Sequence, residues 1–120
     1  MPFKQLLTEL VESTPGATGA ILVDWEGEAV ELVCSAVDEY ELKLLAAHQG
    51  IILGQAREMS RRLLEEAPEE LVVTTGSGRC VVGPVGIEYA LVMTLHRNTL
   101  LGRALHRFRE TRKRLIKEIC

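Results

Sequence analysis

Aromatic side chains make up only 4% of the 120 residues. Phe3, Trp25, Tyr40, Tyr89 and Phe108 are too few to fill an interior, so aliphatic side chains must supply the core of one domain. Cysteine is also sparse. Cys34, Cys80 and Cys120 are an odd, widely spaced set with no Cys-x-x-Cys pair, which argues against both a zinc site and a disulfide framework and points to a reducing cytoplasm. No apolar run approaches the roughly 20 residues needed to span a bilayer. The N-terminus lacks a basic stretch followed by an apolar one, so no secretory leader is expected. A Gly-x-x-x-x-Gly-Lys-Ser/Thr loop is missing, and with it the usual means of cradling a nucleotide. His48, His96 and His106 show no metal-ligand spacing, and His48 is expected to be a partly buried helix residue. No catalytic, cofactor-binding or metal-binding residue is assigned, and the chain is not expected to be an enzyme.

What is present is an ordinary globular mixture, 47% hydrophobic and 26% charged, with a net charge of −3. That net value hides an asymmetry. Residues 1–96 hold six Lys/Arg against fifteen Asp/Glu, whereas residues 97–120 hold eight Lys/Arg against two Glu. The last segment is strongly basic on an acidic body. A basic helix can contact nucleic acid or anionic lipid. Here no aromatic residue interleaves with the cations except Phe108, which belongs to the apolar stripe. The expectation is a solvated helix paired with acidic surface elsewhere, with no nucleic-acid partner and no membrane insertion.

Hydrophobic periodicity divides the chain into eight elements. Phe3, Leu6, Leu7, Leu10 and Val11 mark a first helix ended by Pro15-Gly16. Thr18 to Asp24 and Glu28 to Cys34 form a hairpin around Trp25-Glu26-Gly27. Asp38, with Glu41 three residues on, predicts a capping box for a helix from Glu39 to Glu66, stopped by Pro68. Leu71 to Thr75, Arg79 to Val85 and Ile87 to Leu95 read as three more strands, the first two joined by the loop Gly76-Ser77-Gly78. That loop could hold a phosphate, but a plain hairpin is the better reading. Asn98 or Thr99 caps a last helix. The result is α-β-β-α-β-β-β-α, an α+β fold on a five-stranded antiparallel sheet. Ile21 and Val23 alternate with Ala20 and Leu22, and Leu91 and Met93 with Ala90 and Val92. These strands are apolar on both faces, so helices must cover both sides.

The middle helix has more apolar surface than a sheet can use. Leu45, Ile52, Ala56, Met59 and Leu63 form one stripe, expected to face the sheet. Ala46, Gly50 and Gly54 form a ridge of small residues with Leu53 beside them. Two glycines inside a helix cost about 1 kcal/mol each relative to alanine, and close approach of another helix would offset that. Packing within the chain is one possibility; a partner chain is favoured because the sheet-facing stripe is already supplied. The strand Leu71, Val72, Val73, Thr74, Thr75 carries no charge and no proline, so at a sheet edge it would be an open pairing template. Glu28 and Glu31 would blunt the opposite edge. The expected dimer interface is therefore Ala46, Gly50, Leu53, Gly54 and Leu71 to Thr75.

Gly16-Ala17-Thr18-Gly19-Ala20-Ile21-Leu22-Val23-Asp24-Trp25-Glu26-Gly27 resembles the opening hairpin of the roadblock / dynein light chain family, a longin-like fold. Ala90-Leu91-Val92-Met93-Thr94-Leu95, followed by Asn98-Thr99-Leu100-Leu101-Gly102, resembles its last strand and helix start. The resemblance implies a sheet order of 2-1-5-4-3, with the first and last helices on one face and the middle helix on the other. It also implies a homodimer joined through middle helices and third strands. Family members commonly bind Ras-like GTPases or act as assembly scaffolds. A non-catalytic platform for such a GTPase, acting as a regulator or activating partner, is thus the expected function; a scaffold without a GTPase is the alternative. Leu53, Arg57 and Arg61, at the rim of the helix seam, are the candidate GTPase contacts. Arg57, Arg61 and Arg79 are also the positions from which an arginine finger could reach a phosphoryl group.

Overall fold

A computed structural model describes residues 2–24, 26–63 and 68–119. The elements are α1 (Pro2–Ser13), β1 (Ala17–Asp24), β2 (Ala29–Cys34), α2 (Glu39–Leu63), β3 (Leu71–Thr74), β4 (Arg79–Val85), β5 (Tyr89–Leu95) and α3 (Leu101–Ile119). The expected order of elements is the order found. The turn residue Trp25 and the extension of α2 to Glu66 lie outside the described residues. The strands form one sheet in the order β2-β1-β5-β4-β3, and every neighbouring pair is antiparallel. β1 and β5 are central, with Ile21 opposite Val92 and Leu22 opposite Leu91.

Alternation along the central strands sorts side chains into two cores, one per face. Ala20, Leu22, Leu91 and Met93 join Leu7 and Leu10 of α1 and Phe108 and Leu115 of α3. Ile21, Val23, Ala90 and Val92 meet Leu42, Ala46 and Leu53 of α2. Both faces are covered, as the doubly apolar strands require.

Local chemistry sets the connections. Asp24 closes the first hairpin: its Oδ1 accepts the amides of Glu26 at 3.0 Å and Glu28 at 2.9 Å, while Gly27 adopts φ 87°, a backbone region glycine enters without steric cost. Asp38 caps α2, its Oδ2 accepting the Glu41 amide at 3.2 Å, which satisfies one of the orphan donors of the first turn.

Two local expectations are corrected. β5 begins at Tyr89 because Gly86, with φ 66°, turns the chain and leaves Ile87 exposed. The expected cap of α3 is not made by Thr99. Its hydroxyl is buried, has no hydrogen-bond partner among the described residues, and packs on Gly16, where a β-carbon would collide with it. The Thr99 carbonyl instead accepts Arg79 Nη1 at 3.2 Å. Gly76-Ser77-Gly78 is a hairpin loop, closed by the Thr75 amide donating to the Gly78 carbonyl at 2.8 Å.

Candidate functional interface

α2 is held on the sheet by Leu42, Ala46, Gln49 and Leu53, all buried. Their spacing of four, three and four residues defines one helix face. The assignment of faces made from the sequence is therefore corrected. Ala46 and Leu53, expected at a dimer interface, are wholly buried in the chain's own core, so neither can touch a partner, and Leu53 cannot be a GTPase contact. Conversely, Ile52, Met59 and Leu63, expected to face the sheet, are 43%, 58% and 75% exposed. Periodicity identified two apolar stripes but could not tell which one the sheet would take. Tyr40, Leu44 and Ile51 extend the exposed apolar surface. The sequence signal for them was present: Leu44 and Ile51 lie off the stripe first chosen for the sheet.

The two flanks of α2 differ. Toward the β1–β2 turn, Ala47 and Gly50 overlook Asp24, Glu26 and Gly27 across a small groove. Among the described residues nothing would meet a β-carbon placed on Gly50 or Gly54. On the opposite flank, Glu41, Leu45 and Gln49 line a cleft of about 350 Å³ whose far wall is the β3–β4 hairpin. The glycine ridge and β3, expected to meet one partner at one seam, thus lie on opposite sides of the helix. Gly50 and Gly54 point away from β3 because the sheet claims the neighbouring Ala46 and Leu53.

β3 is an edge strand, paired only with β4. Leu71 and Val73 pack toward α2, and Val72 on the other face is exposed. α3 fastens the entry to this edge. Arg109 grips the Glu70 carboxylate through Nε, at 2.9 and 3.1 Å to its two oxygens, and also through Nη2. Arg112 donates to the Glu69 carbonyl. The Arg109 side-chain hydrogen bond holds the Glu70 carboxyl below the usual glutamate range against the opposing effect of burial. Arg114 pairs with Glu9 of α1 at 2.8 Å. Three cations of the basic helix are therefore occupied with the chain's own surface.

Arg57 is half-buried and Arg61 exposed; Arg61 pairs with Glu58 at 2.7 Å. Arg79, at the start of β4, is engaged with the Thr99 carbonyl. His48 is exposed, not partly buried. Burial pushes the Cys80 thiol up, and burial, then Glu39 and Asp38, push Cys34 up, the opposite of what activates a cysteine nucleophile. Among the described residues no group of three or more His, Cys, Asp or Glu is placed to hold a metal ion, and no helix is long and apolar enough to cross a membrane.

An antiparallel sheet in the order 2-1-5-4-3, one helix on one face and two on the other, defines the class of small α+β domains to which the opening hairpin pointed. The Roadblock/LC7 domain model matches residues 3–95, and the chain belongs to that family. A Roadblock/LC7 domain from Streptomyces avermitilis superposes with a TM-score of 0.86 at 18% identity, over 97% of this chain and 96% of that one. Myxococcus xanthus MglB gives 0.88 at 16% identity, over 99% and 95%. The gliding protein MglB from Thermus thermophilus gives 0.83 at 22% identity, over 94% and 84%. Likenesses at this identity establish the fold. Compared by sequence with curated proteins, the chain matches none.

Proposed function

We propose that this chain is a non-catalytic, homodimeric cytoplasmic platform that binds and regulates a Ras-like small GTPase. The observation that carries the reading is the outward face of α2. A helix packed on a sheet ordinarily turns polar residues outward, yet Tyr40, Leu44, Ile51, Ile52, Met59 and Leu63 are all exposed on this one. That much apolar side chain on one element marks an interaction surface. β3 beside it is an uncharged open edge. Membership of the Roadblock/LC7 family implies pairing of middle helices and third strands across a two-fold axis, and association with a Ras-like GTPase.

The two flanks of α2 suggest a division of labour. Ile52, Met59 and Leu63 continue the flank of Leu45, which faces β3, and serve the dimer together with Leu71 to Thr75. Ile51, Gly50 and Gly54, rimmed by Arg57 and Arg61, face outward and toward β1–β2, and serve the GTPase. Aliphatic centres rimmed by arginine are common anatomy for such contacts. Leu53 leaves the candidate set; Arg57 and Arg61 remain in it.

The test is to purify the GTPase that co-isolates with the full chain and titrate it, loaded with GTP or GDP, against the wild type and Arg57→Glu/Arg61→Glu. Preferential binding of one nucleotide state, weakened about tenfold or more by the double substitution while the dimer persists, is expected; tenfold corresponds to about 1.4 kcal/mol. Equal affinity for both nucleotide states would remove regulation by state selection. Absence of any co-isolating GTPase would favour an assembly scaffold.

A further inference from the structure

The cations around α3 fall into two groups. Arg109, Arg112 and Arg114 are tied to Glu70, Glu69 and Glu9, and Arg97, just ahead of the helix, donates to the Thr75 carbonyl at 2.9 Å. Arg103, Arg107, Lys113 and Lys117 are exposed, and none of them forms an ion pair among the described residues. The buried residues of α3 are Ala104, Phe108, Thr111 and Leu115. The crest turned away from the sheet therefore runs through Arg103, His106, Glu110, Lys113 and Lys117, at the three- and four-residue spacing of one helix face. All five are exposed, and Arg107 flanks them. Only Glu110 and Glu118 oppose these cations on the helix itself.

The fold fixes where this stripe points. α1 and α3 pack on one face of the sheet and α2 on the other. In the homodimer, antiparallel pairing of two β3 edges sets the two-fold axis perpendicular to the sheet and continues the sheet from one copy into the other. Each face then keeps its own helices, both α2 helices on one and both α3 helices on the other. Two basic stripes thus share a face that neither the helix seam nor the proposed GTPase surface uses. The acidic first turn of α2, with Glu39 and Glu41, lies on the far side.

We propose that the α3 face docks on an anionic lipid bilayer, whose phosphates meet Arg103, Arg107, Lys113 and Lys117 of both copies while the α2 face stays turned to solution. The pairing of stripes rests on the homodimer reading. Charge complementarity carries the choice of occupant, because the negative surface of a membrane attracts lysine and arginine held within a Debye length of it, about 8 Å at physiological salt. Two features favour lipid over nucleic acid. Leu100, beside the start of α3, is 78% exposed, and a bilayer interface takes up such a side chain where a phosphate backbone does not. No aromatic side chain stands on the crest to stack on a base. One stripe alone gives a weak, reversible contact; two on one body bind with avidity.

The experiment is sedimentation of the full chain with vesicles of phosphatidylcholine and phosphatidylglycerol in equal parts, against vesicles of phosphatidylcholine alone. Wild type is expected to bind only the anionic vesicles and to be released as salt is raised. Arg103→Gln/Arg107→Gln/Lys113→Gln/Lys117→Gln should bind about a hundredfold or more weakly, with an unchanged melt verifying that the fold is intact. Lys43→Gln/Arg62→Gln, which removes charge from α2 instead, should stay within about threefold of wild type, since the far face lies beyond the Debye length. Ile52→Glu, expected to separate the copies, should bind about tenfold or more weakly through its single stripe. Equal binding to both kinds of vesicle, or a fourfold variant that binds like wild type, overturns the proposal. Duplex DNA bound more tightly than the anionic vesicles through the same four residues reassigns the stripe to nucleic acid and overturns it too. Sedimentation equilibrium without vesicles separates the two readings: a dimer that ignores the vesicles removes the lipid surface and keeps the homodimer, and a monomer that binds them through these cations keeps the lipid surface and removes the homodimer.

Discussion

Gly16 and Thr99 show how a pair of residues distant in sequence closes one end of the fold. Gly16 sits at φ 93°, and a β-carbon there would meet the Thr99 side chain, while its carbonyl accepts the His96 amide at 2.9 Å. Both the backbone angle and the missing side chain are used. Gly16→Ala is expected to destabilise the chain by about 1–2 kcal/mol from the left-handed conformation alone, lowering Tm by roughly 4–10 °C; a thermal melt checks it, and an unchanged Tm would show that the Thr99 contact is slack. Glu70 makes a second prediction at this scale. Its carboxyl is held below the ordinary value by the hydrogen bond from Arg109. A depressed carboxylate pKa contributes stability that is present above the unfolded value, about 4.3 for glutamate, and is lost as pH falls through the lower folded value. Glu70→Gln should therefore cost stability at neutral pH and progressively less below about pH 4. Chemical denaturation across that range reads the difference; a constant gap would remove Glu70 from the pH response.

At the scale of elements, α2 separates what was legible in the sequence from what was not. The eight elements, the two-sided core and the Asp38 cap all follow from local rules, because strand alternation and capping chemistry act over a few residues. The facing of α2 is not local. Leu42, Ala46, Gln49 and Leu53 make a sheet-facing stripe that includes an alanine and a glutamine, whereas Ile52, Met59 and Leu63 make a more hydrophobic stripe that stays exposed. Ranking stripes by hydrophobicity selects the second, and tertiary packing selects the first because small and medium side chains let α2 sit close to Ile21, Val82 and Val92. Thr99 does not supply the cap of α3 for a similar reason: it is engaged by packing against Gly16, a contact no window along the chain contains. The glycines of α2 give the prediction for this scale. Among the described residues no atom lies where their β-carbons would be, so Gly50→Ala/Gly54→Ala should stabilise the chain by about 0.8–1 kcal/mol per site from helix propensity alone. If the ridge is where the GTPase approaches, the same variant should bind it more weakly. Urea denaturation and a binding titration separate the two effects; loss of stability would show that the ridge is packed within the protein.

For the whole molecule, the partition of charge and of apolar surface has one consequence that adjacent residues can reveal. The basic α3 is tied to the body by Arg109, Arg112 and Arg114, while the exposed side of α2, beside the β3 edge, carries Tyr40, Leu44, Ile51, Ile52, Met59 and Leu63. Ile52 and Leu53 are neighbours in sequence and opposite in environment, Ile52 43% exposed and Leu53 wholly buried. Leu53→Ala should cost about 2–5 kcal/mol, the usual price of a cavity beneath a helix, and should lower Tm whatever the protein concentration. Ile52→Glu removes nothing from the single chain's interior, so the monomer should keep its helical spectrum and its cooperative melt. In a dimer seam it places two like charges against each other across the axis, and association should weaken by at least about tenfold, or 1.4 kcal/mol. Because binding of a second copy stabilises by mass action, the wild type should melt at a temperature that rises with concentration and Ile52→Glu at one that does not. The decisive measurement is Tm against protein concentration for the three proteins together. If Ile52→Glu unfolds the chain and Leu53→Ala only dissociates it, the assignment of α2's two faces is inverted, and the seam belongs on the stripe that the sheet now holds.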